Sequence, residues 1–386
     1  MKIDEQLALA KRGSLSLVND EDLKKKLESG RKLRVKLGVD PTSADLHLGH
    51  SVVLTKLRTF QDLGHTAVLI IGDFTAMVGD PSGRDSTRPT LTADDVKKNA
   101  ETYQAQAFKI LDPSKTELRF NSEWLHDFMS TKLLDTLKRH TVQQILERED
   151  FKKRIKENSP LTILETFYPL LQGYDSVAIK ADVELGGNDQ LTNLLMGRKM
   201  LKDAGMEPQV ALTMPLLVGL DGVKKMSKSY GNYIAFNDLP NDLFGKSMRV
   251  SDELMLSYYE LLTTDDLAAV KALHPMEAKK RLAEILTARF HGAEAGKAAR
   301  KFFEDTFSKK ELPTDVREIK ASPGLLLSAL ITQCDASKSR NEARRLIQQG
   351  GVKIDGKKAA ADEPVSSPSA FVLQIGKHQF VKVSLG

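Results

Sequence analysis

The chain of 386 residues contains one cysteine, Cys334. No intrachain disulfide can form, and a cysteine-based metal site is not expected. No run approaches the roughly 20 apolar residues needed to span a bilayer, so no membrane association is expected. The first residues, MKIDEQLALAKRG, lack the layout of a secretory signal. With the single cysteine, this leads us to expect a cytoplasmic protein. Internal repeats and low-complexity tracts are absent, and neither sign of charge dominates: 57 Lys+Arg face 52 Asp+Glu, a net of +5. A hydrophobic content of 41% with 28% charged residues excludes extensive disorder. The length suits two or three domains. The charge is unevenly placed. Residues 321–386 carry nine Lys+Arg and five Asp+Glu, a net of +4, leaving about +1 on the first 320. A nearly neutral body with a basic tail suggests a polyanion contact at that end; a solvated basic surface is the alternative.

Residues 33–39 alternate apolar and polar and read as a strand. Asp40-Pro41-Thr42-Ser43 makes a turn. A helix is expected over about 46–63, with Leu54, Leu57 and Phe60 at helical spacing and Gly64 as its stop. Residues 67–71 are nearly all apolar, as in a strand covered on both faces. Strand, helix, strand is a βαβ unit and implies a parallel sheet. Runs at 177–185 and 210–218 extend the scheme. After about residue 235 the texture becomes helical, most clearly over 276–290. Breakers at Leu312-Pro313 and Ser322-Pro323-Gly324 suggest a linker. Beyond it, 337–349 reads as a short basic helix, Asp355-Gly356 as a hairpin turn, and 371–385 as a terminal hairpin around Gly376.

Two constellations carry chemistry. His47-Leu48-Gly49-His50 opens the first helix, where free backbone N–H groups and the dipole favour an anion. Two imidazoles one turn apart can donate to phosphate oxygens, and Gly49 lets a ligand approach the backbone. A metal pair is the rival reading, but no third His or Cys lies nearby in sequence. Lys225-Met226-Ser227-Lys228-Ser229 places lysines beside small hydroxyls, about 175 residues further on. Such a loop can neutralise charge on a transferring phosphate or departing pyrophosphate; a solvated Lys-rich turn is its bland reading.

Further polar groups cluster by spacing. Tyr168, Gln172 and Asp175 fall at i, i+4 and i+7, on one side of a helix. Tyr168 and Gln172 suit an ammonium, and Asp175 a ligand hydroxyl; helix-end polarity without function is the alternative. Gly79-Asp80-Pro81-Ser82-Gly83 adds a carboxylate at a strand-to-turn junction. In Gly186-Gly187-Asn188-Asp189-Gln190 the glycines allow close approach of a nucleotide, and Asp189 suits ribose hydroxyls.

Paired HxGH and KMSKS strings are the signature of class I aminoacyl-tRNA synthetases. Together with DPTSADLHLGH, GDPSG, YPLLQGYDS, GGNDQ and SKSRNEARRLIQQGGVKIDG, they make the chain resemble the bacterial tyrosyl-tRNA synthetases over nearly its whole length. The last string resembles the α-L RNA-binding module of ribosomal proteins. The resemblance implies an α/β fold in three parts. These are a Rossmann-like parallel-sheet catalytic domain (1–235), an α-helical anticodon-side domain (236–320) and a small α+β RNA-binding module (321–386). It also implies a homodimer, and ATP with Mg²⁺, L-tyrosine and tRNA(Tyr) as partners. Asp80, Tyr168 and Gln172 would hold the tyrosine ammonium, Asp175 its hydroxyl and Gln190 its carboxylate, with Asn121 near the pocket. Asp189 would face the ribose; His47, His50 and Gly49 would line the ATP, and Lys225 and Lys228 the pyrophosphate. Lys338, Arg340, Arg344 and Arg345 would meet tRNA.

Two positions depart from the family pattern. Lys36 stands where the better-known branch has a tyrosine that donates to the substrate hydroxyl, and Glu184 where a glutamine is common. Lys36, with the full KMSKS, points to the second bacterial branch, and both changes alter the network that would read the substrate hydroxyl. Lys36 is expected either to donate to the phenolic oxygen or to pair with Asp175. Other readings are a tryptophanyl enzyme, which generally lacks the RNA module, a small-molecule nucleotidyltransferase, and a synthetase-derived RNA-binding protein without charging activity.

Overall fold

Short apolar strands alternating with covering helices assemble a mixed sheet. Its strands are Ser16–Val18 (β1), Arg34–Val39 (β2), Thr66–Ile71 (β3), Thr116–Phe120 (β4), Val183–Gly187 (β5) and Val210–Met214 (β6). The computed structural model describes residues 1–43, 45–82, 91–307, 317–322, 324–334, 339–365, 370–376 and 379–385. The strand order is β1-β6-β5-β2-β3-β4. All pairings are parallel except β1 with β6. Chain contacts divide the protein into two compact units, Met1–Arg300 and Lys301–Gly386.

In the first unit β2 and β3 are covered on both faces, and Ala67 to Ile71 are fully buried. The helix Leu48–Asp62 crosses between them, packing Leu54, Leu57 and Phe60 on the sheet. It ends at Leu63, and Gly64 turns away at φ +94°. The sheet order reverses between β2 and β5: the chain runs from β2 outward through β3 and β4, then returns to β5 on the other side. Crevices at such switch points, beyond the carboxyl ends of the strands, are where open α/β sheets bind ligands. The helices between Pro240 and His291 share one apolar cluster with the sheet, through Leu243, Tyr258, Tyr259, Leu282 and Leu286. Phe236 stacks on Phe290 with centroids 4.2 Å apart. The expected division at residue 235 falls inside this unit.

The helix Ile163–Ala178 begins with a capping box, Thr162 accepting from Glu165 N. It lies against the helix Leu191–Asp203, and two glycines set the approach. A Cβ on Gly173 would sit 2.6 Å from Met200 Sδ, and one on Gly197 2.6 Å from Gln209 Nε2. The expected strand run at 177–185 is therefore corrected. Val177 and Ala178 still belong to this helix, and β5 starts only at Val183. Likewise β6 stops at Met214, before Pro215.

In the second unit the strands Arg317–Ala321 (β7), Val352–Ile354 (β8), Lys357–Lys358 (β9), Phe371–Ile375 (β10) and Gln379–Leu385 (β11) form a sheet in the order β7-β11-β10-β8-β9. Asp355 and Gly356 connect β8 to β9 with φ of +45° and +77°, the left-handed pair a two-residue hairpin needs. The helix Arg340–Gln348 places Ala343 and Ile347 in a separate core with Leu330, Ile331, Val352, Leu373 and Val383. Leu312-Pro313 and Pro323 of the expected linker lie outside the described residues.

Candidate active site

A cavity of about 380 Å³ opens at the switch point. The end of β2 contributes Leu37 to Asp40, β5 Leu185 to Gly187, and the segment after β6 Pro215 to Leu217. His47, Gly49, His50, Asp80, Asn121, Tyr168, Gln172, Asp175, Asp189, Gln190 and Lys225 all line it. Eleven of the expected site residues, from six separate stretches of sequence, thus face one space. A second opening of about 390 Å³ shares His47, His50 and Ser227 with it and adds Lys228.

Asp175 is 3% exposed. Trp124 Nε1 donates to its Oδ1 at 2.8 Å and Asn121 Nδ2 to its Oδ2 at 3.4 Å. Burial pushes its carboxyl up to about 6, against the opposing pull of Lys36, Trp124 and Asn121. Asn121 is fixed in turn by donating to Thr75 Oγ1 at 2.9 Å and accepting from Phe74 N at 3.0 Å. Tyr168 donates its hydroxyl to Asp40 Oδ2 at 2.9 Å, and burial raises its phenol well above the usual range. Asp40, Thr75 and Trp124 escaped the sequence reading. Asp40 was visible only as a turn residue, although it directly follows β2 at the switch point. Trp124 touches a carboxylate 51 residues away, for which no local pattern exists.

Asp80 accepts from Ser82 N at 2.9 Å and from Gln190 Nε2 at 2.8 Å. Asn193 Nδ2 lies within hydrogen-bond reach of Gln172 Oε1 (2.9 Å) and Gln190 Oε1 (3.0 Å). Asn193 was also missed; it is fully buried one turn after the GGNDQ string.

The two signature motifs meet through the backbone. Leu48 N donates to Ile234 O and Phe236 N to Leu46 O, each at 3.0 Å, so the chain just after KMSKS pairs with the chain entering the HLGH helix. The lysine loop has its own scaffold. Met226 N donates to Leu217 O, Ser227 N to Asn232 Oδ1, and Asn232 Nδ2 to Asp221 Oδ2. Lys225 lies 4.0 Å from Asp189, and Lys228 3.5 Å from Asp45. Burial raises the Asp189 carboxyl, with Lys225 pulling it back.

Both histidines cap their own helix. His47 Nδ1 accepts from Gly49 N and His50 Nδ1 from His47 N, each at 3.2 Å. Both imidazoles therefore carry their proton on Nε2 when neutral. Burial, together with Lys228, lowers His47 to about 2 and His50 to about 4, so both are neutral at pH 7. A Cβ on Gly49 would lie 2.9 Å from the His47 ring. The glycine thus makes room for the capping imidazole.

Lys36 requires a correction. It is fully buried and does not line the cavity. The parallel register of β2 and β5 sets it directly beside Glu184. Its ammonium donates to Glu184 Oε1 (2.8 Å), Ser176 Oγ (2.8 Å) and Gln172 O (2.9 Å). Its ion pair is with Glu184, the other departure from the family pattern, and it reaches Asp175 only through its field. Three donors are thereby used within the protein, leaving none for a ligand oxygen. In the second unit Arg340, Arg344 and Arg345 are exposed on their helix, and Arg344 Nε donates to Asp362 at 2.9 Å. Lys338 lies outside the described residues.

A crevice lined by neutral imidazoles with Nε2–H donors, by a lysine of the KMSKS loop and by a buried carboxylate fits an amino-acid-activating site of class I type. The family model "tRNA synthetases class I (W and Y)" matches residues 28–308, and that of the S4 domain matches 336–370. The chain belongs to the class I tRNA synthetases of this W and Y group and ends in an S4 domain. It is 50% identical to the tyrosine–tRNA ligase of Oleidesulfovibrio alaskensis, over 99% of each chain. It is 49% identical to that of Thermotoga maritima, over 100% of this chain and 99% of the relative. The fold is similar to that of a tyrosyl-tRNA synthetase from Archaeoglobus fulgidus solved with L-tyrosine, with a TM-score of 0.64, 24% identity, and 78% of this chain and 100% of that one covered. No helix among the described residues is long and apolar enough to cross a membrane.

Proposed function

We infer that the chain joins L-tyrosine to tRNA(Tyr). It activates tyrosine with ATP to tyrosyl-adenylate and pyrophosphate, then transfers the tyrosyl group to the 3′ end of the tRNA. The observation that carries tyrosine is Asp175, a buried carboxylate held by Trp124 and Asn121 in the same cavity that the HLGH and KMSKS segments line. It suits a phenolic hydroxyl, and it would be left short of a partner beside phenylalanine.

A tyrosine carboxylate oxygen attacks the α-phosphorus of ATP; a P–O bond forms as the bond to pyrophosphate breaks. No enzyme nucleophile is needed, so catalysis rests on positioning and charge stabilisation. In this reading Asp80, Tyr168 and Gln172 take the ammonium. Tyr168 can do so because its proton is already donated to Asp40. Gln190 faces the carboxylate and Asp189 the ribose. His47 and His50, neutral, offer Nε2–H donors to the ATP, with Gly49 leaving room for the capping His47 ring. Lys225 and Lys228 supply the positive charge, leaving Asp189 and Asp45 as the loop closes over the phosphates. Mg²⁺ arrives with ATP, held largely by phosphate and water oxygens. The S4 unit meets tRNA through Arg340, Arg344 and Arg345, and Lys338 is assigned the same role from the sequence alone. The protein works in the cytoplasm as a homodimer, with the helices after residue 236, up to the start of the second unit, on the anticodon side.

ATP–pyrophosphate exchange, run separately with each amino acid, tests this. Exchange with tyrosine alone is expected. Tryptophan-dependent exchange would overturn the reading of Asp175, and no exchange from folded protein would leave an RNA-binding protein without charging activity.

A further inference from the structure

Arg148 lies in the turn between the helices Val142–Leu146 and Glu149–Lys156, far in sequence from every signature motif. It is nonetheless 5% exposed, against the usual habit of an arginine. Asp150 neutralises it at 2.7 Å, and its guanidinium lies over the Phe151 ring. What remains of its donor set points towards the site. Nη2 donates to Ser82 Oγ at 3.0 Å, and Nη1 donates to Asn193 Oδ1.

Asn193 is an amide with an acceptor at one end and donors at the other. A guanidinium has only donors, so the Asn193 oxygen must face Arg148. Its NH₂ must then face Gln172 and Gln190, and both present Oε1 to it, at 2.9 and 3.0 Å. The NH₂ of Gln190 is thereby turned to Asp80, which it meets at 2.8 Å. The chain Arg148–Asn193–Gln190–Asp80 runs from a group that can only donate to one that, ionised, can only accept. Only one polarity satisfies every link. With that polarity Gln172 Oε1 and the Asp80 carboxylate, both on the cavity wall, each keep a further lone pair for a donor.

We propose that Arg148 is a positioning residue for the amino-group end of the substrate site, setting through Asn193 the amide orientation that gathers acceptor oxygens around a substrate ammonium. Without it the Asn193 oxygen loses its charged donor and the relay is held from the Asp80 end alone, so the Gln172 amide, which meets Asn193, is fixed less tightly with its oxygen towards the cation. The proposal rests on the reading of Asp80, Tyr168 and Gln172 as the ammonium site.

The test compares tyrosine with 3-(4-hydroxyphenyl)propionate, the same molecule lacking the amine. The tyrosine KM in ATP–pyrophosphate exchange and the inhibition constant of the amine-free compound are measured for the full chain and for Arg148→Met. The variant is expected to raise the tyrosine KM about tenfold. The KM for ATP and the inhibition constant should stay within about twofold. If both tyrosine and the amine-free compound weaken in parallel, or neither changes, Arg148 is only a packing residue and the proposal falls. Should Arg148→Met not fold, Arg148→Gln serves. Glutamine can present either end and no longer dictates the polarity, so full retention of wild-type amine preference there also overturns the proposal. A wild-type protein that binds both compounds equally would instead remove the ammonium site itself.

Discussion

Asp175 and the two capping histidines are shifted in opposite senses by the same cause. Desolvation disfavours whichever form is charged, so it raises the carboxyl and lowers the imidazoles. The consequences for stability oppose each other. Between the ordinary carboxyl value of 3.8 and about 6, the folded protein holds the Asp175 proton more tightly than the unfolded chain. That contribution is present at low pH and lost as pH rises through 6. For His50 the unfolded chain binds the extra proton between about 4 and 6.5, so its contribution is present above 6.5 and lost as pH falls through 4. His47 acts in the same direction over a longer window. Asp175→Asn removes the opposing term. Urea midpoints of that variant should climb with pH from 4 to 6.5 more steeply than those of the wild type. Across that range the difference should be on the order of 2–3 kcal/mol. Parallel curves would mean that Asp175 is not held protonated by burial.

At the scale of elements, register decides what sequence alone left open. Alternation and apolar runs were enough to place β2 and β3, and the Asp-Gly pair enough to place the β8–β9 hairpin. Nothing along the chain indicated that β5 would lie beside β2 with Lys36 opposite Glu184. The two departures from the family pattern looked like separate weaknesses in the hydroxyl-reading network. They are one ion pair, with side chains 0% and 1% exposed, gripping Gln172 O and Ser176 on the helix that carries Asp175. Arg148 was illegible for the same reason: its partners Ser82 and Asn193 are 66 and 45 residues away. Local patterns report faces and ends of elements, whereas a buried polar group is defined by whatever the tertiary fold sets against it. Removing one partner of such a pair strands the other. Lys36→Met should cost about 3–5 kcal/mol of stability, because Glu184 keeps a buried charge. Lys36→Met with Glu184→Gln should cost less than the single change, since the stranded charge goes as well. A double variant that unfolds more readily than Lys36→Met would show that the pair is not coupled in this way.

At the scale of the whole molecule, activation chemistry and RNA contact fall in units with separate cores. Every residue lining the main cavity lies between Leu37 and Ser227. The net charge of +4 over 321–386 lies beyond them, as do the exposed arginines of the helix Arg340–Gln348. The first unit has its own complete sheet, and β7 belongs to the other. A chain ending after residue 307 therefore keeps every strand and cavity residue of the first unit. It should retain tyrosine-dependent pyrophosphate exchange within a fewfold while losing most tRNA charging. Equal loss of both would mean that the second unit is needed for the stability of the first. The full chain supplies the complementary measurement. If three cations of the S4 unit each neutralise one phosphate, tRNA affinity should fall roughly 20- to 40-fold between 50 and 200 mM salt. Arg340→Ala with Arg345→Ala should flatten that dependence. Arg344→Ala tests a different point, because its guanidinium is already anchored to Asp362, which also accepts from Ser328 N and Oγ. Its loss should lower the melting temperature of the full chain as well as tRNA affinity, whereas the Arg340 and Arg345 changes should lower affinity alone.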